Sequence, residues 1–209
     1  MAQYCTFSIV RHGETEWNRK GLIQGHEDSP LTLLGTEQAK QLGAELQHLH
    51  FDAAFSSDLL RAKRTAEIML LERKVIVQTT ALLRERAFGK YEGQPHSSVK
   101  AIEELFETLS EEEIFRYKDS EDVESDEEII TRFITFIREV AVALPGKKVL
   151  VATHSGIMRA FLIHLGVATY KNFGHNHISN TAYITLDSDG VDFFVRETKG
   201  IELSEGKST

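Results

Sequence analysis

Two short apolar runs in this sequence end on a histidine. IVRHGETE, residues 9–16, places Arg11 and His12 where apolar residues give way to charge and glycine, and VATHSG, residues 151–156, places His154 likewise ahead of Ser155 and Gly156. A third stretch, SSDLLRAKRTAE, carries Arg61. Arginine presents a planar fork of donors matched to phosphate oxygens and stays charged at physiological pH. Two arginines and two histidines brought together make a pocket for a phosphoryl group. Taken alone, Arg11 and His12 read equally well as a solvated turn closing a strand, so the question is whether the fold gathers these residues.

Periodicity predicts the elements that would gather them. Residues 4–10 are short, β-branched and aromatic, as a buried strand is. Thr32 caps a helix with Ala39, Leu42, Leu46 and Leu49 at three- and four-residue spacing. Residues 52–56 form a second strand, Ser57 or Asp58 caps a helix through LLRAKRTAEIML, and residues 75–78 form a third strand. After the charged loop LLRERAFGKYEGQPHSS, Val99, Ile102, Leu105, Phe106 and Leu109 mark an amphipathic helix, and the acidic run behind it reads as a solvated helix face and loop. Ser125 and Glu128 make a capping box for a strong helix that Pro145 and Gly146 stop. Residues 148–153 form another strand, a helix follows, and TAYITL and VDFFV close as a hairpin around DSDG. This alternation predicts an α/β fold, a three-layer sandwich whose largely parallel central sheet is covered by helices on both faces. One domain over residues 1–209 is expected, with a helical insert at about 94–124. In such sheets the ligand crevice lies beyond the carboxyl ends of the strands, where Arg11, His12, Arg61 and His154 stand.

Bulk composition narrows the partners. The 209 residues are 41% hydrophobic and 27% charged, enough apolar material for a core. A net charge of −8 argues against nucleic acid or an anionic membrane, while leaving room for a small anion in a local cationic pocket. The single cysteine, Cys5, forbids a disulfide framework and suits a reducing compartment. No basic leader and no long apolar window is present, so a cytoplasmic chain is expected. His175 and His177 share one spacer residue and lack a nearby carboxylate or cysteine, so no metal is expected there.

RHGETEWN, SSDLLRAKRTAE, LLRERAFGKYEG and the late THSG, in that order, resemble the motifs of the histidine phosphatase superfamily, which contains the cofactor-dependent phosphoglycerate mutases and the fructose-2,6-bisphosphatases. The likeness covers nearly the whole chain and implies a phosphoglycerate mutase-like fold. It also implies that His12 is a nucleophile forming a phosphohistidine, that Arg11, Arg61 and His154 bind the phosphoryl oxygens, and that Glu85 is the general acid. Asn18 matches a phosphate contact of the family, Gln24 and Gly25 lie in the loop that lines its substrate pocket, Ser155 follows the second histidine, and a backbone contact is placed near Ser179 and Asn180. A histidine nucleophile must be neutral, and Arg11 and Arg61 should depress its pKa, whereas the second histidine can be protonated beside a phosphate dianion. No cofactor is implied. Trp17, Tyr91 and Glu92 read as packing or pocket-wall residues without chemistry.

Two departures matter. Ser155 stands where the family usually has glycine after its second histidine, and the insert lacks the paired arginines with which the mutases clamp a second phosphate or carboxylate. Arg116 is the only arginine between Arg86 and Arg132. The sequence therefore favours a metal-independent phosphatase acting on a small phosphorylated metabolite, a sugar phosphate or phosphorylated acid. A phosphoglycerate mutase and a non-catalytic phosphate-binding module remain the alternatives, and the oligomeric state is open.

Overall fold

The structure, a computed structural model, describes residues 3–174 and 177–203. Its centre is a six-stranded sheet of order β3-β2-β4-β1-β5-β6. Strands β1 (Cys5–Arg11), β2 (Ala53–Ser57), β3 (Val77–Thr80) and β4 (Lys148–Thr153) are parallel, while β5 (Ile178–Ser188) and β6 (Phe193–Ile201) run antiparallel at one edge.

Successive side chains of a strand point to opposite faces, and here both faces are covered. Phe7, Ile9, Val149, Val151, Ile184 and Leu186 pack on one side against α6 (Asp126–Ala143) and α7 (Ser155–His164), through Ile129, Phe133, Ile157 and Phe161. Val10, Leu150, Ala152 and Ala54 pack on the other against Ala39 and Leu42 of α2 (Leu33–Glu45) and Ala66 and Met69 of α3 (Leu60–Met69). Burial on both faces is why KVLVAT reads as an unbroken apolar run. Cys5 is part of this core, its thiol pushed up to about 12 by burial, which leaves it chemically inert.

The strand order positions the site. The chain leaves a slot between β1 and β2 that β4 later fills, and Arg11 pairs with Thr153 across the new ladder. The next residues, His12 and His154, therefore leave the sheet side by side, with the His12 N–H still bonded to the Thr153 carbonyl at 3.1 Å.

Local signals account for most helix ends. Thr32 caps α2 through the Gly35 N–H, and Ser125 and Glu128 close a reciprocal capping box on α6. Thr15 and Asn18 do the same for the short helix α1 (Glu16–Lys20). The segment expected as an insert contains α4 (Lys100–Phe106) and α5 (Glu111–Arg116), the latter with its own box from Ser110 and Glu113 inside what reads as a solvated acidic run.

Two of the boundaries that differ from expectation have long-range causes. The third strand begins two residues late, because the ladder with β2 pairs Ala54 with Val77 and leaves Ile76 exposed. The cap of α3 is also not local. Neither Ser57 nor Asp58 caps it; the N–H groups of Leu60 and Arg61 donate instead to the carboxylate of Asp28, from the loop before α2. Among the described residues no helix is long and apolar enough to cross a membrane.

Candidate active site

Beyond the carboxyl ends of β1, β2 and β4 lies a pocket of about 500 Å³. Of the residues singled out in the sequence, Arg11, His12, Asn18, Gln24, Gly25, Arg61, Glu85 and Ser155 line it. His154 sits just behind, fully buried, its ring edge-on to His12 with centroids 5.2 Å apart.

The His12 ring is held in one tautomer. Its Nδ1 lies 2.8 Å from the Gly13 carbonyl, which can only accept, so the proton sits on Nδ1 and the lone pair on Nε2. Burial first, then Arg61 and Arg11, push the His12 pKa well below its ordinary value, so the ring is neutral at pH 7. His154 is pushed down for the same reasons, burial first and Arg61 next. The proton expected on His154 beside a phosphate dianion is thus opposed by burial and by Arg61.

Both arginines are aimed by backbone carbonyls. Arg61, 1% exposed, donates to the Gly25 carbonyl at 2.7 Å, the Glu27 carbonyl at 2.8 Å and the Asp28 carboxylate at 3.2 Å. Arg11 donates to the Ile178 carbonyl, and burial pushes its pKa down to about 10, still charged at neutral pH. Nε of each arginine and both ring nitrogens of His154 are buried without a protein partner. An unsatisfied buried polar group costs about 1–3 kcal/mol, so this concentration at one spot marks donors kept for an anion.

Glu85 faces the same space. Its flanking arginines are both engaged elsewhere: Arg84 makes a two-pronged pair with Asp58 at 2.7 Å on each prong, and Arg86 pairs with the buried Asp126. The Glu85 carboxylate instead accepts from its neighbour Arg86 N–H at 2.9 Å and from Gly156 N–H at 3.0 Å. The glycine after Ser155 is thereby explained, since a Cβ on Gly156 would stand 2.3 Å from Glu85 Oε1.

The rest of the rim is built by short-range bonds. Asn18 Oδ1 accepts from Thr15 and, at 3.3 Å, from Asn180 Nδ2, while Gln24 accepts from the Thr15 hydroxyl at 3.0 Å. Asn180 also donates to the His12 carbonyl at 3.1 Å. Thr181, next in sequence, has φ of 58° at a break in the β5–β6 register. Such a conformation costs a β-branched residue roughly 1–3 kcal/mol, here expended where Ser179 and Asn180 turn toward the pocket.

Residues 7–199 match the family described as the Histidine phosphatase superfamily (branch 1). The chain belongs to this superfamily. Its curated relatives in the superfamily include the uncharacterized phosphatase PhoE of Bacillus subtilis (strain 168), 33% identical over 159 residues, 75% of each chain. The 2,3-bisphosphoglycerate-dependent phosphoglycerate mutase of Azorhizobium caulinodans is 33% identical over 205 residues, 92% of this chain and 96% of the mutase. Among solved structures, Bacillus stearothermophilus YhfR superposes with a TM-score of 0.81 at 25% identity, over 95% of this chain and 98% of that one.

Several residues of this superfamily member's site escape sequence reading. Arg159, from the middle of the apolar helix IMRAFLIHL, lines the pocket as a third buried guanidinium. Its Nε bonds the Phe173 carbonyl at 2.7 Å and its guanidinium lies over Tyr170. A lone arginine inside an apolar run was the available signal. Arg132 on α6 donates to the carbonyls of Leu82, Arg84 and Glu85, fixing the loop that carries Glu85, and no local pattern announces it. His175 lies outside the described residues; His177 bonds the Glu202 carbonyl through Nδ1 at 3.0 Å.

The two buried histidines should make folding acid-sensitive. Their folded pKa values lie well below the unfolded value near 6.5, so only the unfolded chain takes up protons as pH falls. Stability is then held above about pH 6.5 and lost below it, by up to about 1.4 kcal/mol per pH unit for each histidine. Urea denaturation from pH 7 to pH 5 should show stability falling with pH, with His96 and His164, also pushed down by burial, adding to the slope, and His154→Gln should lessen that slope by up to about one proton.

Proposed function

We propose that the chain is a metal-independent phosphatase that hydrolyses a small phosphorylated metabolite, a sugar phosphate or phosphorylated acid, in the cytoplasm. The observation that carries this reading is the His12 tautomer: a neutral imidazole, pinned through Nδ1 to the Gly13 carbonyl, with Nε2 as the free nitrogen in a pocket that Arg11 and Arg61 also line. The Nε2 lone pair attacks phosphorus, and the ester P–O bond breaks as Glu85 gives its proton to the leaving oxygen. Arg11, Arg61 and His154, which can take up a proton from solvent once the dianion's charge lies beside it, stabilise the charge on the transferring group, where such reactions need most help. Water then attacks the phosphohistidine, Glu85 takes its proton back, and the P–N bond breaks to release phosphate. Asn18, Gln24, Gly25 and Ser155 line the substrate side. A volume of about 500 Å³ lies within the range of small-molecule sites, roughly 300–1,000 Å³, and leaves room for more than the phosphoryl group.

A phosphoglycerate mutase is the second reading, and Arg159 favours it, since a third guanidinium on the pocket wall suits the second anionic group of a bisphosphate. The insert speaks for hydrolysis: Arg116 is exposed and pairs with Glu112 at 3.0 Å, away from the pocket, so no insert arginine guards an intermediate from water.

The test is phosphate release with a chelator present, across fructose 2,6-bisphosphate, 2,3-bisphosphoglycerate, 3-phosphoglycerate and an aryl phosphate. Multiple turnovers that survive the chelator are expected. Interconversion of 2- and 3-phosphoglycerate that requires a bisphosphate primer, without net release, would replace the phosphatase by the mutase.

A further inference from the structure

We infer that Glu92, which does not line the pocket, is a positioning residue that locks the loop holding Arg61 to the loop carrying Glu85. The inference rests on the roles proposed above for those two residues. Oε1 of Glu92 accepts from the backbone N–H of His26 and from that of Phe88, both at 2.9 Å, and Oε2 accepts from Glu27 N–H at 3.0 Å. One carboxylate thus stitches residues 26–27 to residue 88. The first stretch belongs to the loop whose Gly25 and Glu27 carbonyls and Asp28 carboxylate aim the Arg61 guanidinium. The second lies three residues after Glu85.

The fit around the carboxylate is close. Gly25 has φ of +57°, and a Cβ there would stand 2.1 Å from Glu92 Oε1, so the loop has surrendered a side chain to admit this group. Second links run in parallel: His26 Nε2 bonds the Glu85 carbonyl at 3.0 Å, and Gly93 N–H, just past Glu92, bonds the Ile23 carbonyl at 2.8 Å. Glu92 is the only one of these links that joins three backbone donors through a single charged group, and hydrogen bonds to an ionised acceptor are roughly twice as strong as neutral ones. Its negative charge also favours the charged form of Arg61. The phosphoryl-binding cation and the proton donor act on opposite ends of one breaking P–O bond. A link that fixes their separation therefore acts on the transition state without touching substrate, and a misplacement of about 1 Å can cost about 10²-fold.

The experiment compares Glu92→Ala and Glu92→Gln with the natural protein on an alkyl and an aryl phosphate, and measures inorganic phosphate binding by calorimetry. An aryl leaving oxygen needs little protonation, so a displaced Arg61 slows both substrates, whereas a displaced Glu85 adds a further loss to the first step of the alkyl ester and reaches the aryl ester only through hydrolysis of the phosphohistidine. Glu92→Ala should lose on the order of 10²-fold in kcat on the alkyl phosphate, less on the aryl one, and bind phosphate more weakly. Glu92→Gln keeps one oxygen for His26 and Phe88 but turns an NH₂ toward Glu27 N–H, and it should lie between. A lower melting temperature with unchanged kcat on both esters and unchanged phosphate affinity would overturn the inference by reducing Glu92 to a fold stabiliser. Should Glu92→Ala not fold, unchanged kcat and affinity in Glu92→Gln overturn it equally. If the natural protein hydrolyses nothing, the phosphatase reading fails on its own, and phosphate affinity alone decides here: weakened supports the link to Arg61, unchanged overturns it.

Discussion

His12→Ala should abolish phosphate release while leaving phosphate binding in place. Loss of a covalent nucleophile removes the reaction path rather than one stabilising contact, and the drop expected in kcat is roughly 10⁶-fold. Binding should survive because the arginines are held independently of the ring: Arg61 by the Gly25 and Glu27 carbonyls and Asp28, and Arg11 by the Ile178 carbonyl. The check is twofold. Rapid acid-free quenching with labelled substrate should trap label on the natural protein and none on the variant, and calorimetry should show phosphate affinity within about tenfold, the scale of one lost hydrogen bond. Residual turnover near the natural rate would remove His12 from the reaction, and the same result in both proteins with no turnover would leave a phosphate-binding module.

Not every part of this site could be read from the chain. Features governed by local spacing were legible: the strand KVLVAT ends where expected, and the Ser125–Glu128 box starts α6. So were the residue types at the strand ends, because parallel strands deliver their carboxyl ends to one edge, and the four ordered motifs made the family resemblance specific. What failed was long-range. Ile76 continues an apolar run yet is exposed, because pairing with β2 rather than hydropathy sets where β3 begins. The start of α3 is capped by Asp28, which no window around residue 58 contains. Arg132 and Glu92 gain their meaning only when the chain brings three loop carbonyls to one and three loop N–H groups to the other. The Ser155-Gly156 departure becomes intelligible in the same way. The family's usual glycine after the second histidine is absent, yet the glycine one place later is where the Glu85 carboxylate approaches the helix.

That approach makes Glu85→Gln the sharper test of how the leaving group departs. With Arg84 and Arg86 drawn off by Asp58 and Asp126, the Glu85 carboxylate has no cation within ion-pair distance among the described residues and is held only by two backbone N–H groups. The side chain is therefore not committed to an ion pair, which leaves it free for the general-acid role proposed above. Glutamine fills the same space but has no proton to give, so the alkyl ester should slow by roughly 10²–10⁴-fold, the usual worth of a general acid. An aryl phosphate with an acidic leaving group needs little help in the first step, and its first-turnover burst should be nearly intact. Its steady-state rate should still fall if water attack on the phosphohistidine uses the same carboxylate as a base. Burst and steady state thus report the two halves of the cycle separately. Equal losses on both esters, with no burst in either, would mean that Glu85 fixes the loop near Gly156 and that the leaving oxygen takes its proton from elsewhere.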